Sequence, residues 1–555
     1  MSRARLMIAL LAAACCWPLQ AQYTENIEVR VTNVDVVVTD RAGKPVAGLT
    51  QDDFEVLEDG KPQEVTNLYE VRQSSAQTTA AAHTAEAAPE PPPEQKRRHF
   101  VFFIDNYSLT FERNGVLKSL RRFLDRNLQP EDDVMVVIWD RNIDIVQSFT
   151  SDRSVIDAAL EKVRKRGPHG AMLDAEKERA VDLAMQIWQA NQRKREVMTR
   201  PGAPVPPPSG SQLDEVKSIA VAFSEEVRSI QLRLLDALHA MLTSMGGIEG
   251  RKVLVFAGAY LPERPGLEIF ERFAARLAEK GDLSAMMEVD MNRKYVEPQA
   301  QEIAKVARHA NAEGVTMYTI FAEDPVNVRD DPKKFTEYTN SATAFASLAD
   351  MTGGTMLTKT SNYDVMFDTV ARDVSSYYSL GYHTSDAEPG QRSIVVRTKN
   401  PAYRVRSRKS YVVKSNDERA GDEVIANIVQ PQPKNDIPVT LTVGELRPEG
   451  RNQYIVPIDV TIPTAAVTLL PDGELMVGGF TVYVVAGTTS GGLSPVSKRQ
   501  QSIRLPQATI DALQNKPLLF HAEVLVGKGE NILSVGVVDR ISNASGYARA
   551  PVVAR

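Results

Sequence analysis

Cysteine is almost absent: the chain of 555 residues has two, Cys15 and Cys16, side by side near its start. No disulfide framework or thiolate metal site can be spread over the body of such a chain, so its stability must come from packing. Long apolar runs are missing too. Beyond the N-terminal segment no stretch approaches the about 18 uninterrupted apolar residues of a membrane-spanning helix. Charge of one sign is not in excess, since the formal net charge is -6, and nothing in that balance points to nucleic acid or an anionic membrane surface. The short basic runs Lys96-Arg97-Arg98 and Arg404 to Arg408 read as solvated strand faces.

Catalytic motifs are also lacking. The seven histidines, His83, His99, His169, His239, His309, His383 and His521, form no His-Glu-x-x-His pair. There is no Gly-x-Ser-x-Gly elbow and no phosphate-cradling Gly-x-x-x-x-Gly-Lys loop. Gly353-Gly354 reads as a turn between helix and strand. The pairs Asp52-Asp53 and Asp132-Asp133 read as turn or helix caps. A non-enzymatic protein without a cofactor is expected.

What the sequence does have begins at its first residues. Arg3 and Arg5 precede the apolar run Leu6 to Ala14, and Leu19-Gln20-Ala21 offers a small-residue cleavage site. This order predicts a signal peptide over 1–21 and export to the periplasm, the outer surface or the medium. A lipoprotein signal around Leu11 to Cys15 is the secondary reading.

Hydrophobic residues make up 43% of the chain, enough at this length for several cores. Alternation through Val29, Val31, Val36 and Val38, with turns at Asp40 to Gly43 and Asp59-Gly60, predicts a small β domain over 22–72. An Ala- and Pro-rich linker follows over 73–97. From 98 to 384 short, continuously apolar runs alternate with helical periodicity. The runs are His99 to Ile104, Val134 to Trp139, Val253 to Phe256 and Val315 to Phe321. This predicts an α/β domain with a doubly wound, mostly parallel sheet. Ile143 to Phe149 follows the second run too closely for a crossover and should return antiparallel at an edge. A long insertion over about 164–250 reads as a surface helical excursion with a flexible tip at Pro201 to Pro208. A β extension over 385–413, a linker over 414–435 and a C-terminal β-sandwich-like domain over 436–555 complete the expected plan.

Several of these stretches resemble the von Willebrand factor A domain, and more narrowly a related family common in Acidobacteria and similar environmental bacteria. They are Val36 to Val46, Asp53-Phe54-Glu55-Val56, Glu58 to Gln63, Thr352-Gly353-Gly354, Tyr377 to Tyr382 and Val405 to Tyr411. The resemblance covers roughly Ile27 to Val413 and implies a von Willebrand factor A-like fold flanked by β domains. It also implies where a metal would sit, because metal-binding members carry Asp-x-Ser-x-Ser after the first strand, a Thr from a second loop and an Asp after a later strand.

Here Asp105-Asn106-Tyr107-Ser108-Leu109 keeps the aspartate but puts Tyr107 and Leu109 at the serine positions. Ala171 stands where the threonine is expected, and Gly258 or a neighbour replaces the second aspartate. A hard cation such as Mg²⁺ needs oxygen ligands in near-octahedral array, so three losses predict a degenerate site with Asp105 serving as a cap. Asp105, Ser108 and Asp174 are the residues from which a rearranged site could be assembled. The expected function is protein binding in the cell envelope or outside it. A Mg²⁺-dependent adhesion receptor with a rearranged site, and a secreted hydrolase with an unrecognised site, are the alternatives.

Overall fold

The computed structural model describes residues 31–72, 97–199, 210–280, 296–323, 332–358, 363–383, 389–488, 491–513 and 516–555. The expected leader at 1–21, nearly all of the linker at 73–97 and the proline-rich tip at 201–208 lie outside these residues. Four strands come first: β1 (Val31–Thr39), β2 (Phe54–Glu58), β3 (Lys61–Gln63) and β4 (Val65–Arg72). Asp59 and Gly60 join β2 to β3 with φ of 48° and 78°, the paired left-handed geometry for which Asp-Gly is selected in tight hairpins.

The chain then alternates: β5 (Arg98–Asp105), α1 (Arg113–Asn127), β6 (Asp133–Trp139), β7 (Ile143–Thr150), α2 (Arg153–Lys165), α3 (Gly170–Met198) and α4 (Gly210–Gly246). It continues through β8 (Arg251–Gly258), α5 (Leu267–Glu279), α6 (Ala300–Ala312), β9 (Val315–Phe321), α7 (Pro332–Met351), β10 (Met356–Thr358) and α8 (Asp364–Ser375). The six strands form one sheet in the order β10-β9-β8-β5-β6-β7, parallel throughout except for β7 against β6. Every residue of β5, β6 and β8 is buried, which is why these segments read as unbroken apolar runs rather than alternations. Phe100, Phe102 and Ile104 point to one face, where Val116 and Leu120 of α1, Ile156 and Leu160 of α2 and Phe367 and Val370 of α8 cover them. Val101 and Phe103 point to the other, under α3 to α7.

That second layer corrects the expectation of a surface excursion over 164–250. Val181, Ala184 and Trp188 of α3 and Leu234, Leu238 and Leu242 of α4 belong to the largest core cluster, and Trp188 is 1% exposed. The helices are too long and too apolar on their inner sides to be a solvated arm, and without them that face of the sheet would be only partly covered.

The next strands, β11 (Ser376–His383), β12 (Gly390–Thr398), β13 (Arg404–Ser407) and β14 (Ser410–Val413), return to the first four. The sheets are β13-β1-β11-β4 and β14-β12-β2-β3, around a shared core of Val34, Val36, Phe54, Tyr378, Leu380 and Ile394. The expected N-terminal β domain and the β extension at 385–413 are therefore halves of one unit, completed by β11. A few short strands from either end alone could not enclose a core.

The stretch 414–435, expected as a linker, holds α9 (Asn416–Val429). Ser415 and Glu418 form a reciprocal capping box, and Ala420, Val424 and Ile428 recur every fourth residue on its buried side, so charge at its start concealed an amphipathic helix. Beyond it lie β15 (Thr440–Val443), β16 (Arg447–Pro448), β17 (Gln453–Pro463), β18 (Leu469–Asp472), β19 (Leu475–Thr488), β20 (Ser497–Pro506), α10 (Gln507–Leu513), β21 (Pro517–Gly527), β22 (Gly529–Asp539) and β23 (Ser545–Ala554). They make two antiparallel sheets, one of β15, β16, β17 and β21 and one of β18, β19, β20, β22 and β23. Val456, Ile458 and Val460 of one share a core with Val482, Leu533 and Val535 of the other. Among the described residues no helix is long and apolar enough to cross a membrane.

Candidate functional site

In a parallel sheet with helices on both faces, the carboxyl ends of the strands open onto loops and helix N-termini, and ligands collect there. Asp105 is the last residue of β5 at that end and is 1% exposed. Its carboxylate is used up within its own loop. Oδ1 accepts the backbone N–H of Tyr107 at 3.1 Å and of Ser108 at 3.2 Å, and Oδ2 accepts the Ser108 hydroxyl. Desolvation pushes the Asp105 carboxyl up to about 7, the Ser108 and Tyr107 hydrogen bonds only partly opposing it and the negative Asp140 adding to it. The arrangement is that of a loop cap.

The two positions where the resemblance led one to look for serine are core. Tyr107 packs into the cluster on one face of the sheet and Leu109 into the cluster on the other, so neither side chain can turn towards a ligand. Ser108, between them, is committed twice: its Oγ donates to Asp105 and accepts from the N–H of Ala259 at 3.0 Å. Gly258, at the end of β8, lies directly against Asp105. A Cβ there would sit 3.0 Å from the Phe345 ring and 3.4 Å from Asp105 Oδ2, leaving no room for a second aspartate. Below the loop Arg113, 1% exposed, donates to the Asn106 side chain and to the carbonyls of Arg164 and Arg166 at 3.2 and 2.7 Å. A fixed guanidinium there opposes a bound cation.

The helix α4 closes the loop from another side. Asp105, Tyr107, Trp139, Gln231, Leu234 and Tyr260 line a crevice of only about 20 Å³. His169, at the start of α3, holds Asp140 through Nδ1 at 2.6 Å, and its backbone N–H donates to the Asn106 carbonyl at 2.9 Å. The second loop is thus locked onto the first.

The three residues singled out for a rearranged site are divided by the structure. Ser108 and Asp174 line one cleft of about 450 Å³, whereas Asp105 faces the crevice beneath α4. Asp174 is turned to Lys177 at 3.6 Å. Among the described residues no three His, Cys, Asp or Glu side chains converge as metal ligands.

Sequence reasoning missed the ionic network that fills this cleft. Lys177 of α3 is buried, its Nζ 4.0 Å from the centre of the Tyr260 ring and paired with Glu337 of α7. Arg272 of α5 bridges Glu337 and Glu178 at 2.6 Å each. Desolvation pushes Glu337 up, but Lys177 and Arg272 outweigh it and hold the carboxyl below its ordinary range. Glu323 goes the other way: desolvation, reinforced by Asp174 and Glu337 and only partly opposed by Lys177, pushes it up to about 7. In all, Glu112, Asp174, Glu178, Glu323 and Glu337 share the lining of the cleft with Lys177 and Arg272. The carboxylates come from four separate segments, so spacing in the sequence could not announce them. Phe111, Met172 and Phe335, one or two positions in sequence from lining residues of the cleft, are 73%, 60% and 53% exposed.

Comparison of the sequence with known protein families and with curated proteins finds no match. Solved structures that align include Northeast Structural Genomics Consortium target SoR45, at 12% identity and a TM-score of 0.15, over 22% of this chain and 90% of that one. Conserved hypothetical protein BatB from Bacteroides thetaiotaomicron aligns at 10% identity and a TM-score of 0.22, over 50% of this chain and 97% of its own. Human COPII-coat protein Sec24c aligns at 9% identity and a TM-score of 0.23, over 57% and 43% respectively.

Proposed function

We propose that the chain is an exported, non-enzymatic protein-binding scaffold. In this reading the α/β body is a von Willebrand factor A-like domain with a degenerate metal site, and the cleft at the carboxyl ends of its strands receives a partner's basic side chain without a bridging cation. One observation carries the reading. The aspartate that would anchor a cation is buried and saturated by its own loop, while the open cleft beside it presents five carboxylates against two cations.

A cation-bridged site takes a carboxylate from its partner; an acidic cleft takes a lysine or arginine. The exposed Phe111, Met172 and Phe335 supply apolar contact next to residues that line the cleft, and large apolar side chains rimmed by charge mark contact surfaces. Export rests on Arg3, Arg5, the run Leu6 to Ala14 and the Leu19-Gln20-Ala21 end of the leader.

Recovery of a partner from envelope extracts, with and without chelator, tests this directly when wild type is run beside Asp174→Lys and Phe111→Ser. The expected result is equal recovery in both buffers by wild type and loss in both variants. Recovery that needs Mg²⁺ would favour the adhesion receptor with a rearranged site. Turnover of ester, peptide or glycan libraries by the purified chain would favour the hydrolase.

A further inference from the structure

The opposite end of the sheet holds a second cleft, of about 260 Å³, where β8 and β9 begin and the unit built from β1, β4 and β11 packs against them. Three cations line it: Arg251 and Lys252, the first residues of β8, and Arg408, between β13 and β14. Asp35 of β1 is the one carboxylate among the lining residues, and its nearest oxygen is 4.0 Å from Arg251 Nη1, beyond hydrogen-bond reach.

Arg251 is built in rather than solvated. Its side chain is 3% exposed and its guanidinium lies over the Tyr377 ring, 3.7 Å from the centre, which fixes the plane of the fork. Nε and Nη1 have no hydrogen-bond partner. Arg408 donates one amino group to the Asn33 carbonyl at 2.6 Å, and its Nε is likewise unpartnered. Gly314 stands between the other two charges with φ of 66°: a Cβ there would be 3.7 Å from both Arg408 Nη1 and Lys252 Nζ. The missing side chain leaves space on which both cations converge.

Glu313 and Asp422, the other acids that act on Lys252, are already held by Lys414 at 2.5 and 2.6 Å. Desolvation, with Lys414 and Arg408 adding repulsion, pushes the Lys252 ammonium down to about 8. Buried donors without acceptors cost free energy, and cations this close repel one another. A dianion with several acceptor oxygens relieves both, and Arg forks match its geometry.

We propose that this cleft is an oxyanion site, taking a phosphate- or sulfate-type group between the Arg251 and Arg408 guanidinium groups and the Lys252 ammonium. It shares no lining residue with the acidic cleft, so its failure and the failure of the partner-binding reading are separate results.

Calorimetric titration of the full chain with inorganic phosphate at low ionic strength tests it. One ion binds per chain, and affinity falls as salt rises. Arg408→Gln weakens binding about tenfold or more, the scale of one lost charge-assisted hydrogen bond, while its circular dichroism stays that of wild type. Asp35→Asn, which removes the competing carboxylate, tightens binding several-fold, a gain that misfolding cannot imitate. Phenyl phosphate separates two sources of the same chemistry: tighter binding than phosphate marks a phosphoryl group carried on a larger molecule, and equal or weaker binding marks the free ion. No binding of phosphate or sulfate by wild type overturns the proposal. So does full affinity in Arg408→Gln, or weaker binding by Asp35→Asn.

Discussion

Replacing Asp105 by asparagine separates a capping carboxylate from a metal ligand, because the two roles respond oppositely to pH. In the fold the Asp105 carboxyl sits at about 7, chiefly through desolvation, against about 3.9 in an unfolded chain. An acid whose pKa is raised by folding favours the protonated fold. Its stabilising effect is therefore complete below about pH 4, declines as pH rises from there to about 7, and changes no further above that. Between about pH 5 and about pH 8 the linkage amounts to a loss of roughly 2–3 kcal/mol in wild type. The amide introduced by Asp105→Asn would keep an oxygen for the Tyr107 and Ser108 N–H groups but carry no titrating proton, so the variant should lack this decline.

The assay is urea unfolding of both proteins at the two pH values, followed by tryptophan fluorescence. Trp139 lines the same crevice as Asp105 and Trp188 lies in the same core cluster as Trp139, so the signal reports this body of the chain. Wild type should lose stability relative to Asp105→Asn as pH rises. Equal pH slopes would refute the reasoning. So would a wild type that gains on the variant with rising pH, or Mg²⁺ that raises the wild-type melting temperature but not that of the variant.

Two further substitutions follow from the packing. Gly258→Asp adds the carboxylate that the proposed ancestral metal site would carry, but it meets the Phe345 ring and a second buried carboxyl. It should cost about 3 kcal/mol or more and confer no Mg²⁺ binding by calorimetry. Trp188→Ala opens a cavity between α3 and α5, where the indole meets Phe273 edge-on at 6.1 Å; a cost of about 3–5 kcal/mol in urea unfolding is expected, whereas a detached surface arm would show almost none.

Much of the secondary structure is legible in the residues. The buried strands announce themselves because a strand covered on both faces has a continuous apolar stretch rather than an alternation, as β5, β6 and β8 do after their polar first residues. The closeness of Ile143 to Trp139 fixes β7 as antiparallel, since three residues cannot make a crossover. That Tyr107, Leu109 and Gly258 offer neither a serine hydroxyl nor a carboxylate is likewise readable one residue at a time.

Long-range pairing is not readable in this way. That β1 lies between β11 and β13, more than three hundred residues away in sequence, depends on partners whose patterns are individually interchangeable. The insertion at 164–250 shows its helices but not their destination, because an apolar stripe fits any complementary face. The ionic cleft and the cationic cleft are further still from the sequence. Lys177, Arg272 and Glu337, or Arg251, Lys252 and Arg408, become neighbours only when separate elements pack, and a charge surrounded by other charges looks no different in sequence from one on a solvated surface. The sequence by itself determined the elements and the apolar faces, because those are local chemistry. Only the tertiary structure decided which charges meet, because burial and proximity are properties of the packed chain.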